Sequence, residues 1–421
     1  MPNAFSKEER VAFEDILEGF HDYLVLSRNV AKYQTGDSEM ERSGDVIWRP
    51  QPYIAQSFDG MDQTANFNPS AQLSVPATLG FSKSSPWIMD AKELRDALQE
   101  KRLGEAAKQK LASDINIAIM ATAANQGTLV VKRTAAATGF DDLAQCDSIM
   151  NEQGVAMHER FAALSSRDYN NMASNLAGRG TMQGKPVTAY EKAYVGEVSG
   201  FSTYKLDYAN RLPAAAGGGA LTMNTLVAGA NFYTPVSTRV ASTGERSNVD
   251  NRYQSVTVSA TTNVVAGDCF TVAGVNAVHH ITKADTGQLK TFRVISVDSG
   301  TTMTISPPLI SNQGGTDAEA QYQNVEVTGS AAAAIVFLNT VAANINPFWQ
   351  RDAMEILPGR YAVPSDAGAA IMRGTTENGI ELVWQKQYDI NTMKTKYRLD
   401  TLFGVVNKQP EMSGIMLFSQ T

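Results

Sequence analysis

Val256-Thr257-Val258-Ser259-Ala260-Thr261-Thr262, then Gly267-Asp268, then Phe292-Arg293-Val294-Ile295-Ser296-Val297 follow one another in a stretch where apolar and hydroxyl residues alternate. Alternation with a period of two turns one side of an extended chain to a core and the other to water. Val256, Val258 and Ala260 therefore predict a half-buried strand, and Phe292, Val294, Ile295, Val297, Met303 and Ile305 predict further ones. Gly267-Asp268 and Asp298-Ser299-Gly300 are the turns between them. Short strands at this spacing indicate a small β-barrel or sandwich. Pro213 and Ala214-Ala215-Ala216-Gly217-Gly218-Gly219 form a small-residue linker ahead of it, and the strand-like pattern continues to about residue 328.

Towards the N-terminus the pattern is different. Ser6-Lys7-Glu8-Glu9 reads as a capping box, and Phe13, Ile16, Leu17, Phe20 and Leu24 recur at helical spacing. That arm helix carries an apolar stripe that must be covered, and another subunit is a candidate cover. Between Ser43 and Pro86, Val46-Ile47-Trp48 and Leu73-Ser74-Val75 are short extended runs around a polar stretch, and five prolines exclude a long helix. A long hairpin with a weakly cored tip is expected, packing on a neighbour. Asp90-Ala91-Lys92-Glu93 is a second capping box, after which Leu94, Leu98, Ala107, Leu111, Ile115 and Ala118 predict a helix running to Asn125-Gln126-Gly127. At 1.5 Å per residue it would be about 50 Å long. Lys92 with Asp96 and Lys101 with Glu105 are candidate ion pairs on it, and Gly104 marks a bend or a close crossing. Residues 140–222 alternate helical and extended pieces; after Pro347 the chain ends in strands at 380–384, 394–399 and 415–418.

With 421 residues, 43% hydrophobic and 19% charged, the chain is a foldable one that predicts two or three domains. A net charge of -7 and no basic run exclude a protein that grips nucleic acid by neutralising many phosphates. Cys146 and Cys269 are the only cysteines, so both are expected as buried small hydrophobes in a reducing compartment. No charged-then-apolar signal pattern opens the sequence, and its longest apolar stretch, Ala331 to Leu338, is too short to span a bilayer. No membrane contact is expected.

The chemistry-bearing constellations are weak. His279-His280 lies near Asp268 and Cys269, but consecutive histidines on a strand face opposite sides and structural zinc needs four converging ligands. A polar loop is the expectation there. Gly196-Glu197-Val198-Ser199-Gly200 lacks the spacing of a nucleophile elbow, and in Gly184-Lys185-Pro186 a proline replaces the hydroxyl of a phosphate loop. Trp48, Trp87, Trp349 and Trp384 read as core or interface anchors. No catalytic residue, cofactor or metal is expected. A hydrolase with a polymer-binding β insertion domain is the alternative class, and it would need a triad or metal set that is not recognisable.

The order of these parts resembles the Johnson fold of tailed-bacteriophage major capsid proteins, with the nearest likeness to short-tailed Lederbergvirus-type coat proteins that carry an inserted barrel. The likeness rests on Val249-Asp250-Asn251-Arg252-Tyr253, the strand from Val256 to Thr262, Gly267-Asp268 and Ala273-Gly274-Val275. Leu94-Arg95-Asp96, Gly127-Thr128-Leu129-Val130, Asn346-Pro347-Phe348-Trp349 and Leu402-Phe403-Gly404-Val405 support it. The resemblance implies an α+β fold: an N-terminal arm (1–40), an extended hairpin loop (41–86), a peripheral domain with a long spine helix (87–139), an axial domain (140–222 and 347–378), an inserted β-barrel (223–346) and peripheral strands (379–421). It further implies self-assembly into hexamers and pentamers of an icosahedral shell, first as a precursor built on a scaffolding protein and then as a head with a portal and packaged double-stranded DNA. Assembly would take place in the host bacterial cytoplasm. Glu245, Arg246, Asp250 and Arg252 are implied as inter-subunit salt-bridge residues, and the barrel as a folding nucleus. Trp48, Phe13 and Phe20 are the apolar inter-subunit candidates.

Overall fold

The computed structural model describes residues 5–421 apart from 24–25, 34–45, 65, 68, 91, 94–96, 179–188, 190, 194, 218–220, 225–230, 329–331, 364–367 and 377–378, and only the backbone of 8, 18–23 and 97–101. The chain forms two compact units: residues 1–47, 77–121 and 354–406, and residues 48–76, 122–353 and 407–421.

In the first unit, helix α1 (Lys7–Tyr23) opens with the expected capping box: Ser6 N–H donates to the Glu9 carboxylate at 2.6 Å and Glu9 N–H to the Ser6 hydroxyl at 3.1 Å. Its Phe13 and Ile16 are buried. Long helix α2 (Ala97–Gln126) passes α1 so closely that a Cβ on Gly104 would lie 2.8 Å from the Ile16 side chain, so this glycine serves a crossing. The Lys92–Asp96 and Lys101–Glu105 pairs, Leu94-Arg95-Asp96, Leu24 and the Leu98 side chain lie outside the described residues; Lys110 and Asp114 form an i, i+4 pair at 2.7 Å.

The unit's sheet runs Ala31–Lys32, Met354–Pro358, Lys394–Asn407, Glu381–Asp389, Ala370–Thr375, with Phe81–Asp90 also paired to Lys394–Asn407. Pro86, expected to close the hairpin, instead lies within Phe81–Asp90 opposite Arg398. Its missing N–H is tolerated there because that strand pairs on one side only. Phe5, Phe13, Trp87, Trp384 and Tyr397 form one aromatic cluster, with Trp87 stacked on Tyr397 at 5.6 Å.

The second unit is built on a six-stranded sheet in the order Leu129–Lys132, Ser413–Leu417, Asn346–Gln350, Arg160–Ser165, Phe201–Leu206, Glu197–Val198. Helices α3 (Phe140–Glu152) and α4 (Ser166–Ala177) supply Leu143, Cys146, Met150, Tyr169 and Met172 to a core shared with Leu164, Phe201 and Phe348. Two motifs quoted above do local work here. Asn346 accepts from Ser165 N–H at 2.7 Å and donates to Asp168 at 3.0 Å, fixing the start of α4. Gly127 and Gly414 pass at close range, where a Cβ on Gly414 would sit 2.4 Å from the Leu129 carbonyl oxygen. The C-terminal strands, expected as one block over 379–421, are thus divided: Lys394–Asn407 pairs within the first unit's sheet and Ser413–Leu417 in this one.

The stretch that opened the sequence reading is a barrel. Its strands run Thr222–Asn224, Ala332–Phe337, Cys269–Val278, Asp285–Val297, Thr302–Ser306, Gln254–Thr257, and a Met223–Val258 bridge joins the two ends. Val256 and Val258 face inward with Phe270, Phe292, Val294, Met303 and Ile305, while Thr257 and Ser259 face water. Leu221 and Thr222 belong to this core and closure, so the barrel starts just before residue 223. A short helix, α5 (Asp317–Tyr322), caps itself with Thr316 and Glu319.

Candidate assembly surfaces

Arg246–Asn248 pairs antiparallel with Thr238–Val240, and every residue from 238 to 248 is exposed. Ala241 N–H bonds the Glu245 carbonyl at 2.8 Å, and Gly244, at φ +84°, turns the chain where a side chain would be strained. Glu245 and Arg246 therefore stand at the tip of a small ribbon, facing solvent with no ion-pair partner among the described residues.

Asp250 and Arg252, the other two residues implied at subunit contacts, are placed differently. Arg252 is buried, its guanidinium grips Asp250 at 2.6 Å and 2.9 Å, and Nη1 donates to the Asn407 carbonyl at 2.9 Å. With its donors engaged inside the chain, this pair anchors the ribbon's base. Asn251, which sequence reasoning passed over, completes the anchor: it accepts from Tyr233 and Val236 N–H and donates to the carbonyls of Val236 and Val249. An Asn flanked by two charged residues gives no sequence signal for four internal bonds.

The hairpin is present as the two-stranded sheet Val46–Pro50 with Ser74–Thr78. Its base is held by the chain itself. Gln51 donates to the Lys408 carbonyl at 2.9 Å, Tyr322 donates to the Ala71 carbonyl at 2.7 Å, and Leu73 packs with Ile310 and Tyr322. Its tip is not held in this way: Tyr53, Phe58, Met61 and Phe67 are exposed, Phe67 by 87% and Tyr53 by 60%. Four large apolar residues exposed on a polar, proline-bearing loop are unusual for a surface, a signal the sequence carries but the strand pattern does not show. Trp48 is half-buried within its strand.

Part of the arm packs on its own chain. Phe13 lies against Trp384 at 5.9 Å and is 6% exposed, and Glu9 pairs with Lys386, so this part of the apolar stripe is covered by the chain's own sheet. The sequence showed that the stripe needed a partner but not which one, because the partner strand lies far along the chain. The Phe20 side chain lies outside the described residues.

His280 lies in the turn that follows Cys269–Val278, as expected, but its ring is turned inward. Both of its ring nitrogens are shut from solvent, with Nε2 3.3 Å from the Glu411 carboxylate, and Glu411 pairs with buried Lys290 at 2.6 Å. Burial pushes the His280 pKa down to about 4 against the pull of Glu411. For Glu411 burial acts upward, but Lys290 and His280 outweigh it and the carboxyl ends below its ordinary value. Cys146 and Cys269 are buried free thiols, both pushed up by burial. Among the described residues no group of three or more His, Cys, Asp or Glu is arranged to hold a metal ion, and no helix is long and apolar enough to cross a membrane.

A family model described as P22 coat protein, gene protein 5, matches residues 1–419. Among solved structures, the CUS-3 coat protein I-domain is 37% identical over 30% of this chain and 99% of that one, with a TM-score of 0.21. A chain of Mycobacterium phage Che8 is 10% identical over 93% of this chain and 90% of that one, at a TM-score of 0.44. The mature capsid of bacteriophage PhiM1 gives 9% identity over 93% and 86%, at 0.42. The family match over nearly the whole length agrees with the sequence resemblance and with an α+β chain carrying a nearly closed barrel; the chain belongs to the P22 coat protein family and is a Johnson-fold major capsid protein that forms the icosahedral shell of a bacteriophage.

Proposed function

We propose that this coat protein builds its shell through two surfaces that the folded chain leaves free, the apolar tip of the 51–72 loop and the charged tip of the 238–248 ribbon. The observation that carries this reading is the exposure of Tyr53, Phe58, Met61 and Phe67 on a loop whose base is firmly anchored. An anchored base holds the tip extended, so a neighbouring copy can cover it with little further loss of chain entropy. Glu245 and Arg246 offer one charge of each sign on the same turn, which suits a self-complementary contact between two ribbons related by a two-fold axis. Each contact is weak alone; several per subunit, closed by symmetry, give a stable shell while misplaced subunits can still leave.

In this reading the chain forms hexamers and pentamers of a precursor shell around an internal scaffolding protein, in the host bacterial cytoplasm. One vertex takes a portal, and double-stranded DNA then fills the head. The net charge of -7 supports a wall that faces DNA without gripping it. The chain acts as a structural part with no catalytic step. The peripheral and axial divisions of the body, with the barrel inserted in the axial part, are proposed from the two compact units and the order of elements.

The test is assembly of purified subunits, followed by sedimentation and electron microscopy, for Tyr53→Ser with Phe67→Ser and separately for Glu245→Ala with Arg246→Ala. Both double variants should fold as the parent does. The loop variant should lose particles, and the ribbon variant should give particles that dissociate at lower salt than the parent's. Full yields with parental salt resistance in both would overturn the reading.

A further inference from the structure

The barrel core and the α3–sheet core are separate apolar clusters. The chain enters and leaves the barrel along one two-stranded ribbon, Arg211–Leu212 antiparallel to Ala343–Asn344, beside a small apolar cluster that includes Leu212, Cys269 and Ile345. Away from this ribbon a cleft of about 410 Å³ lies between the Leu129–Lys132 edge strand and α3 on one side and the barrel's Gln288–Thr291 on the other. Two strands beside an open cleft make a hinge, and a hinge leaves orientation undecided unless something else fixes it.

What bridges the cleft's rim is polar: Thr291 Oγ1 donates to the Thr128 carbonyl at 2.8 Å, Arg293 Nη1 to the Gly127 carbonyl at 3.3 Å, and a buried ion pair joins them. Lys290 Nζ, on the barrel, reaches Glu411 Oε1 at 2.6 Å and the Gln153 amide oxygen at 2.6 Å, where Gln153 ends α3 and Glu411 lies in the turn Pro410–Met412. Asn324 of the barrel donates to the same Glu411 oxygen at 3.1 Å. Lys290 is 1% exposed and Glu411 7%. A buried ion pair contributes little net stability over apolar residues of the same shape, yet stranding one partner is costly. Its effect is to reward one docked geometry and penalise the others. Next to it, a small cavity of about 40 Å³ is lined by His280, Glu411 and Asn324 together with Gln51, Ile54 and Leu73 from the base of the 51–72 loop. The other charged or titratable groups at this pocket, among the described residues, are Lys283, His279, Tyr322 and Arg252, the last held by Asp250.

We propose that the Lys290–Glu411 pair is a releasable latch: it holds the inserted barrel in one orientation about the two-stranded hinge, and its release frees the barrel and the base of the 51–72 loop together while both cores stay folded. The loop that presents the apolar tip and the barrel that presents the charged ribbon thus meet at one buried ion pair, which acts together with the Arg252–Asn407 and Thr291–Thr128 bonds. The latch belongs to the folded subunit and stands whether or not those two tips make the shell contacts assigned above.

Hydrogen exchange of the full-length protein at neutral pH tests it, with Lys290→Met, Glu411→Gln, the charge-free pair Lys290→Met with Glu411→Leu, and the milder Gln153→Ala. Each single charge variant should speed exchange at least about tenfold at residues 128–131, 288–292 and 71–73, while strands 161–164 and 302–306 keep parental protection. The charge-free double variant should return all segments to parental protection, and Gln153→Ala should show the single-variant pattern at smaller amplitude. Unchanged exchange in the single variants, loss of protection in the two cores to the same degree, or a double variant as loose as the singles would each overturn the latch.

Discussion

Gly404 shows how much a single position can decide. A Cβ there would lie 2.2 Å from the Thr78 carbonyl oxygen, a backbone atom that cannot swing aside. Gly404→Ala is expected to destabilise the first unit by about 1–3 kcal/mol, the usual cost of overpacking, read as a lower denaturation midpoint with an unchanged slope. His280 makes a second residue-scale case. Its folded pKa is depressed to about 4, whereas an unfolded histidine titrates near 6.5. Between these values the unfolded chain binds more protons, so stability should be full above about pH 6.5 and fall as the pH drops towards 4, by on the order of 3 kcal/mol. Glu411, lowered as well, adds a loss in the same direction below the ordinary carboxylate range. His280→Gln should flatten the upper part of that slope in urea titrations at a series of pH values; an unaltered slope would refute the assignment. The Ser6–Glu9 capping box and the close crossing at Gly104 were legible because their partners are near in sequence or demanded by glycine. The burial of His280 beside Glu411 was not, since nothing in either segment points to the other.

At the scale of elements, the barrel was the most readable part. The period-two alternation at Val256 and Val258 and the turns at Gly267-Asp268 and Asp298-Ser299-Gly300 are set by local geometry, and the structure realises them. Closure was less visible: it depends on Met223 meeting Val258, and the linker reading placed the start just past Leu221. Residues 221–346 expressed alone are expected to unfold in one cooperative thermal transition, whereas a chain starting at 225 loses the closing strand and should melt lower. The arm helix was legible as amphipathic, but Trp384, which covers its Phe13, was not, because it follows at great sequence distance. Phe13→Ala should therefore cost the isolated subunit about 3–5 kcal/mol, in the range of large core truncations, and not act on assembly alone. Equal stability of variant and parent subunits would restore the arm to the inter-subunit contacts.

At the scale of the whole molecule, the 51–72 loop and the 238–248 ribbon each have an anchored base and an uncovered tip. The candidate assembly residues were only partly legible for that reason: Glu245 and Arg246 stay exposed, while Asp250 and Arg252, four to seven positions further on, are used internally. Each pair holds one acid and one arginine, and only the fold separates an exposed pair from an anchored one. The apolar loop tip should make the free subunit prone to self-association, so Tyr53→Ser with Phe67→Ser is expected to raise the concentration at which subunits stay monomeric in ultracentrifugation.

The place of Ser413–Leu417 within its sheet carries a further consequence. This strand sits between Leu129–Lys132 and Asn346–Gln350 and is made after every other strand of that sheet. On the ribosome, the barrel's strands can emerge and close while the sheet beside it still lacks an interior member. The sheet can be completed only once residues 413–417 have been made, and until then the flanking strands lack their partner and are open to chaperones and to misassociation.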